Sequence, residues 1–114
     1  VQSYDDIELR FPLLYEGFVR AAAKRRGLPA ALVYSIIRGE SAFVSDARSS
    51  AGALGLMQML PSTGQETARH LGMPWKNSSE LLSPEKNILL GSEYLRRVLR
   101  QFGGSFPLAA AAYN

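Results

Sequence analysis

An all-α fold is predicted by three observations. Valine, isoleucine and threonine are sparse, no stretch alternates apolar and polar residues with period two, and apolar residues recur at three- and four-residue spacings. The 114 residues make one domain, long enough to bury roughly two-thirds of the unfolded surface without staples. With 46% hydrophobic and 20% charged residues the balance is that of a globular protein.

About five helices are predicted. The first covers about 12–26, with Pro12 in its first turn, Gly27 at its end and Leu14, Phe18, Ala21 and Ala22 as its apolar face. Lys24, Arg25 and Arg26 suit the negative end of its dipole. The second begins at Pro29 and runs to about Ser41, burying Leu32, Val33, Ile36 and Ile37. Residues 44–55 turn small and polar and read as a loop, with Gly52 and Gly55 permitting backbone angles that side chains block. After the apolar segment 56–61, a third helix is expected from Ser62, where Ser62 and Gln65 have capping-box spacing, to Gly72. Residues 73–82 read as another loop. Ser83 and Pro84 start a long fourth helix with the face Ile88, Gly91, Leu95, Val98 and Phe102, ended by Gly103 and Gly104. A last, alanine-rich helix is expected from Pro107, with Leu108, Ala111 and Tyr113 left uncovered where the chain stops.

The net charge is +3 with a pI near 9.5. Two basic clusters, Lys24-Arg25-Arg26 and Arg96-Arg97 with Arg100, read as solvated helix faces or as attraction to an acidic polymer. There is no cysteine, which excludes disulfides, thiolate metal sites and cysteine nucleophiles. His70 is the only histidine, so two-histidine zinc motifs are excluded and a Ser-His-Asp triad is disfavoured; it reads as a helix C-terminal capping residue. No Walker loop, dinucleotide fingerprint or calcium loop is present, and neither a metal nor a cofactor is expected. No apolar run approaches the ~20 residues that span a bilayer, and the N-terminus lacks the basic and apolar stretches of a signal peptide.

Glu40 is the informative residue. It stands at i+7 from Val33 on the stripe that includes Ile37, so a carboxylate extends an apolar face. Desolvation and the negative helix end should both raise its pKa, which suits a general acid. The alternative is a frayed helix end with Glu40 in solvent. Met57 and Met59 read as core filler, but Gln58 between them is anomalous, because a buried amide must find a partner or face a ligand.

Taken together, the blocks 37–43 (IRGESAF), 49–58 (SSAGALGLMQ), 61–63 (PST) and 111–114 (AAYN) resemble the soluble lytic transglycosylase catalytic domain in order and spacing. Asn87-Ile88 and the run from Gly91 to Leu95 resemble its intervening helix, and Arg10-Phe11-Pro12-Leu13 its soluble periplasmic branch. The resemblance covers about 10–114 and implies a lysozyme-like fold, with 1–10 a linker from an upstream region and 11–114 a partial catalytic domain. The family pattern continues beyond Ala-Tyr-Asn with a Gly-Pro-Gly loop and further helices, so a fragment is expected.

The resemblance further implies cleavage of the β-1,4 bond between N-acetylmuramic acid and N-acetylglucosamine in peptidoglycan, without hydrolysis. Glu40 would protonate the glycosidic oxygen and then take the proton of the muramoyl 6-hydroxyl, which closes a 1,6-anhydro ring with help from the N-acetyl group. Ser49 would sit beside the reacting sugar, and Met57, Gln58, Tyr113 and Asn114 would line the saccharide groove. Asp46 and Glu93 fall in no family position for a second carboxylate of the kind two-carboxylate glycosidases use. Gly39 stands where the family commonly has glutamine, and Leu60 where it commonly has methionine.

The expected partners are peptidoglycan strands, with other cell-wall enzymes as further candidates, and the expected setting is the bacterial periplasm or cell envelope, as a monomer. Three other readings stay open: a muramidase using water on the same fold, a glycan-binding scaffold without activity, and a helical nucleic-acid-binding module. The last is weakest, because the second helix offers Arg38 and few other groups able to read base edges.

Overall fold

The computed structural model describes residues 14–113; the expectations placed on 1–10, Pro12 and Asn114 lie outside the described residues. Five α-helices carry this part of the chain: α1 Glu16–Arg26, α2 Ala30–Ser41, α3 Pro61–His70, α4 Pro84–Gln101 and α5 Phe106–Tyr113. A 3-10 turn, Ser78–Leu82, precedes α4 within the segment read as loop, and its Leu81 is fully buried. Among the described residues there are no strands, only two isolated antiparallel bridges that join Leu54 to Arg48 and to Met59.

The helix ends follow local chemistry. Gly27, at φ 68°, closes α1 by donating its N–H to the carbonyls of the last turn. Ser83 Oγ accepts from the Lys86 N–H at the start of α4, with Pro84 at the first helical position. The capping box at Ser62 does not form. Pro61 starts α3 one residue earlier, so Leu60 becomes the cap residue and Ser62 already lies inside the helix. The helix then ends at His70, which is exposed in the last turn, and Gly72 takes the left-handed conformation beyond it.

Helix α4 is the central element, touching α1, α3, α5 and the 3-10 turn, while α2 packs on α1. One core cluster joins Val19 and Ala23 of α1, the α2 stripe with Leu32, Val33, Ile36 and Ile37, then Leu56, Met57, Ile88, Leu95 and Tyr113. A second joins Leu54, Met59, Ala68, Leu81 and Leu90, flanked by Trp75. Residues 54–59 thus feed both clusters, and so does α4.

Three predicted faces are corrected. Helix α1 buries Val19 and Ala23 against its neighbours, whereas Leu14, Phe18 and Ala21 are exposed. In an alanine-rich helix two stripes one residue apart are both plausible, and the packing partner selects between them. On α4 the stripe ends at Val98, because Phe102 is already the cap residue and is exposed. In α5, Tyr113 is buried rather than uncovered, while Leu108 and Ala111 are exposed as expected.

Candidate active site

The C-terminal end of α2 carries Glu40. Its side chain is half-buried, and burial raises its pKa above the ordinary glutamate value. The carboxyl therefore continues the apolar stripe of Val33 and Ile37 instead of fraying into solvent. Immediately beyond it, Ser41 Oγ donates to the Ile37 carbonyl at 3.0 Å and the Ala42 N–H donates to the Arg38 carbonyl at 3.1 Å. Ala42 and Phe43 then sit consecutively at φ 49° and 64°. Left-handed backbone costs a side-chain-bearing residue roughly 1–2 kcal/mol. Part of the support for this turn comes from Phe43, whose ring lies 6.3 Å from that of Tyr34.

A compact loop supplies the other residues of interest. Ser49 closes it at one end: its N–H donates to the Ala53 carbonyl, its Oγ accepts from the Ala53 N–H, and its carbonyl accepts from the Gly52 N–H, each at 3.0 Å. Ser49 is exposed, and its hydroxyl proton is not used by these bonds. Leu54 and Met59 exchange both backbone hydrogen bonds, at 2.9 and 3.0 Å, and so close a tight turn over 54–59. Gly55 is required in it. Its φ is +80°, and an added Cβ would collide with Asn87 Nδ2 and the Leu81 carbonyl.

Gln58 is half-buried at φ 50°. Its Nε2 donates to the carbonyls of Ala47 at 3.0 Å and Gly55 at 2.9 Å, so the anomalous amide finds backbone partners. Both amide hydrogens are committed to the loop, which leaves the carbonyl oxygen as the group able to meet a ligand.

Met57 is a correction. Its side chain is fully buried and packs on Gly91, where an added Cβ would come within 2.5 Å of Met57 Sδ and 2.9 Å of Met57 Cβ. The side chain is core and does not line a groove. Its backbone matters instead, because the Tyr113 hydroxyl donates to the Met57 carbonyl at 2.9 Å.

Tyr113 is buried on α5, its ring 5.3 Å from that of Tyr94 on α4. Burial pushes its phenol well above the usual tyrosine range, and electrostatic interaction with the acidic groups of Glu40 and Tyr94 adds to this. Glu40 and Tyr113 are thereby brought within electrostatic reach of each other. Ser49 and Gln58 share the loop, Met57 meets Tyr113 through the backbone, and Asn114 lies outside the described residues. The groove between α1 and α4, lined by Phe18, Ala22, Arg25, Glu85 and Leu89, involves none of them. Among the described residues, no three His, Cys, Asp or Glu side chains gather as a metal site.

The roles of two side chains were missed. Asn87 is fully buried and bonded to the loop and the 3-10 turn. The signal was available: Asn87, Gly91 and Leu95 share one stripe of α4, so a polar residue interrupts an apolar face just as Glu40 does on α2. The second is Glu93, fully buried, which takes two bonds from Arg96 at 3.0 Å and lies 3.3 Å from Arg26. Burial would push its carboxyl up, but the Arg96 hydrogen bonds, with the charges of Arg96, Arg26 and His70, hold it below the ordinary value. The two basic clusters of the sequence therefore meet at one buried carboxylate.

Comparison with known proteins bears on the family and the fold. The family profile "Transglycosylase SLT domain" matches residues 17–114. The chain is 37% identical over 112 residues to the soluble lytic murein transglycosylase of Escherichia coli K12, covering 97% of this chain and 17% of that protein. It is similar to the solved structure of an inactive glutamate-to-glutamine mutant of the lytic transglycosylase Slt from Pseudomonas aeruginosa, with TM-score 0.88 and 46% identity over 99% of this chain and 18% of the other. It is also similar to the 70 kDa soluble lytic transglycosylase of Escherichia coli, with TM-score 0.84 and 38% identity over 97% of this chain and 18% of the other. The all-α, lysozyme-like architecture is shared with these neighbours, and the chain spans less than a fifth of their length.

Proposed function

The chain belongs to the transglycosylase SLT domain family, and on that premise we propose that it cleaves the MurNAc-β-1,4-GlcNAc bond of peptidoglycan without water. Glu40 is the acid. Its carboxyl proton passes to the glycosidic oxygen as the C1–O bond breaks, and the sugar's own N-acetyl oxygen stabilises the cationic carbon. The Glu40 carboxylate then takes the proton of the muramoyl 6-hydroxyl as that oxygen attacks C1. Glu40 ends protonated, and the product is a 1,6-anhydro sugar. One group both gives and retrieves the proton, so no second carboxylate is needed.

The observation that carries this reading is the half-buried Glu40 carboxyl, whose raised pKa is caused by burial. A carboxyl that holds its proton toward neutral pH is what protonating a glycosidic oxygen requires. Ser49 supports the site by offering an uncommitted hydroxyl proton to the N-acetyl carbonyl, and Gln58 by offering its amide oxygen to a sugar hydroxyl or amide. Tyr113 acts as a wall of the site beside Glu40, Asn114 is a further saccharide contact on the family pattern, and Met57 contributes through its carbonyl. Such a substrate puts the working protein at the bacterial cell envelope, on the periplasmic side.

Digestion of purified sacculi by the whole protein tests the reading. Products lighter by one water than reducing-end muropeptides support it. Reducing-end products would make the protein a hydrolase, and binding to sacculi without products would make it a glycan-binding scaffold.

A further inference from the structure

Asn87 is polar, fully buried and remote in sequence from every residue given a role above. Its side chain ties three backbone groups from two segments. Oδ1 accepts from the Met57 N–H at 2.7 Å, while Nδ2 donates to the Leu54 carbonyl at 3.0 Å and to the Leu81 carbonyl at 2.8 Å. Both amide hydrogens are used, and Gly55 leaves open the space that Nδ2 occupies. An apolar side chain of similar size could fill the volume but would take the Asn87 bond from the buried Met57 N–H and the Leu81 carbonyl, while the Leu54 carbonyl would keep only its bond from the Met59 N–H.

The connection continues past Met57. Its N–H is held by α4 through Asn87, and its carbonyl is held by α5 through the Tyr113 hydroxyl at 2.9 Å. Tyr113 in turn packs on Tyr94, back on α4. One residue of the loop is therefore gripped at both polar groups by two helices, and the second grip is a tyrosine that shares a core cluster with Ile36 and Ile37 of α2, the helix that carries Glu40.

We propose that Asn87 is a positioning residue: through the chain Asn87–Met57–Tyr113 it fixes the 54–59 loop and the tyrosine in the core cluster they share with α2, and so sets the geometry in which Glu40 acts. This rests on the reading of Glu40 as the acid. Asn87 touches no substrate, so its loss acts chiefly on turnover, with a smaller effect on glycan affinity through Gln58 of the loop it holds.

The test is a double-mutant cycle with Asn87→Ser and Tyr113→Phe in the whole protein, read as kcat and KM for release of anhydro-muropeptides. Each single variant should lower kcat about tenfold or more with KM changed less than about threefold. The double variant should be no slower than the slower single, because both break the same chain. Losses that multiply, or a raised KM at unchanged kcat, would overturn the proposal. Should Asn87→Ser not fold, Tyr113→Phe alone decides it by NMR, since it removes one hydroxyl that is linked to Asn87 only through Met57. Exchange of the Met57 amide proton and the Asn87 side-chain amide should then accelerate at least about tenfold. Unchanged exchange overturns the chain. That readout needs no substrate, so accelerated exchange in a protein that releases no anhydro products would sink the transglycosylase reading and leave the Asn87–Met57–Tyr113 link standing.

Discussion

A carboxyl group half out of water at a helix end has consequences for both turnover and stability. Glu40→Gln keeps size and polarity but cannot donate and retrieve a proton, so cleavage of sacculi should fall at least ~100-fold, with helical content unchanged by circular dichroism. Activity should be full where Glu40 is protonated and should decline as pH rises through its raised pKa; a profile level from acid to alkaline conditions would place the acid elsewhere. Stability follows the same sign. The folded state binds this proton more tightly than the unfolded chain, so the ionising Glu40 destabilises the fold as pH rises above the ordinary value of 4.5. Glu40→Gln should therefore raise the melting temperature at neutral pH, and the gain should vanish below pH 4.5. A variant that melts lower at neutral pH would mean that ionised Glu40 is stabilised by contacts other than those described. Glu40 was legible because a charged residue on an apolar stripe is conspicuous in one dimension. Met57 was misassigned because the family pattern locates a segment, whereas only packing against Gly91 tells which atoms of that segment are available.

Helices α2 and α4 could be read closely, since their stripes are made of large β-branched and leucine side chains that admit one facing. Helix α1 could not, because alanines leave its moment weak and Val19 and Ala23 compete with Phe18 and Ala22 at nearly the same spacing. The 3-10 turn was missed for a different reason: its local signal, Asn77 Oδ1 accepting from the Ser79 N–H, suits a loop equally well, and Leu81 is held by tertiary contacts with α3 and by Asn87. Two element-level predictions follow from what the packing adds. Gly39 lies inside α2 with open space where its Cβ would be, so Gly39→Ala should stabilise the fold by about 0.5–1 kcal/mol in urea melts. No gain would show that this helix end draws on glycine for some other conformation. Glu93 joins α1 to α4 by accepting from Arg96 and pairing with Arg26. Glu93→Gln should cost about 2–3 kcal/mol at neutral pH, somewhat less than a fully buried pair because both guanidinium groups keep partial access to water. Because the folded-state pKa is depressed, this contribution is complete above 4.5 and is lost as pH falls through the folded value, so wild type and variant should converge in acid.

At the scale of the molecule, two apolar clusters share α4 and the 54–59 loop, and the candidate site lies on the first of them. Asn87 stands at the seam, bonded to Leu54 of one cluster and Met57 of the other. Damage to either cluster should therefore be felt by both. Trp75 makes this measurable, since it is the only tryptophan and borders the second cluster. Ile37 is fully buried in the first. Truncating it to alanine removes three carbons from a packed interior and should cost about 2–4 kcal/mol. If the clusters unfold as one unit, Ile37→Ala should lower the urea midpoint by the same amount in Trp75 fluorescence and in far-ultraviolet ellipticity, with the two curves superimposable. A Trp75 midpoint that stays at the wild-type value while ellipticity is lost earlier would show two separable units. In that case the seam at Asn87 would be too weak to hold the loop in place, and the placement of Tyr113 relative to α2 would have to depend on the first cluster alone.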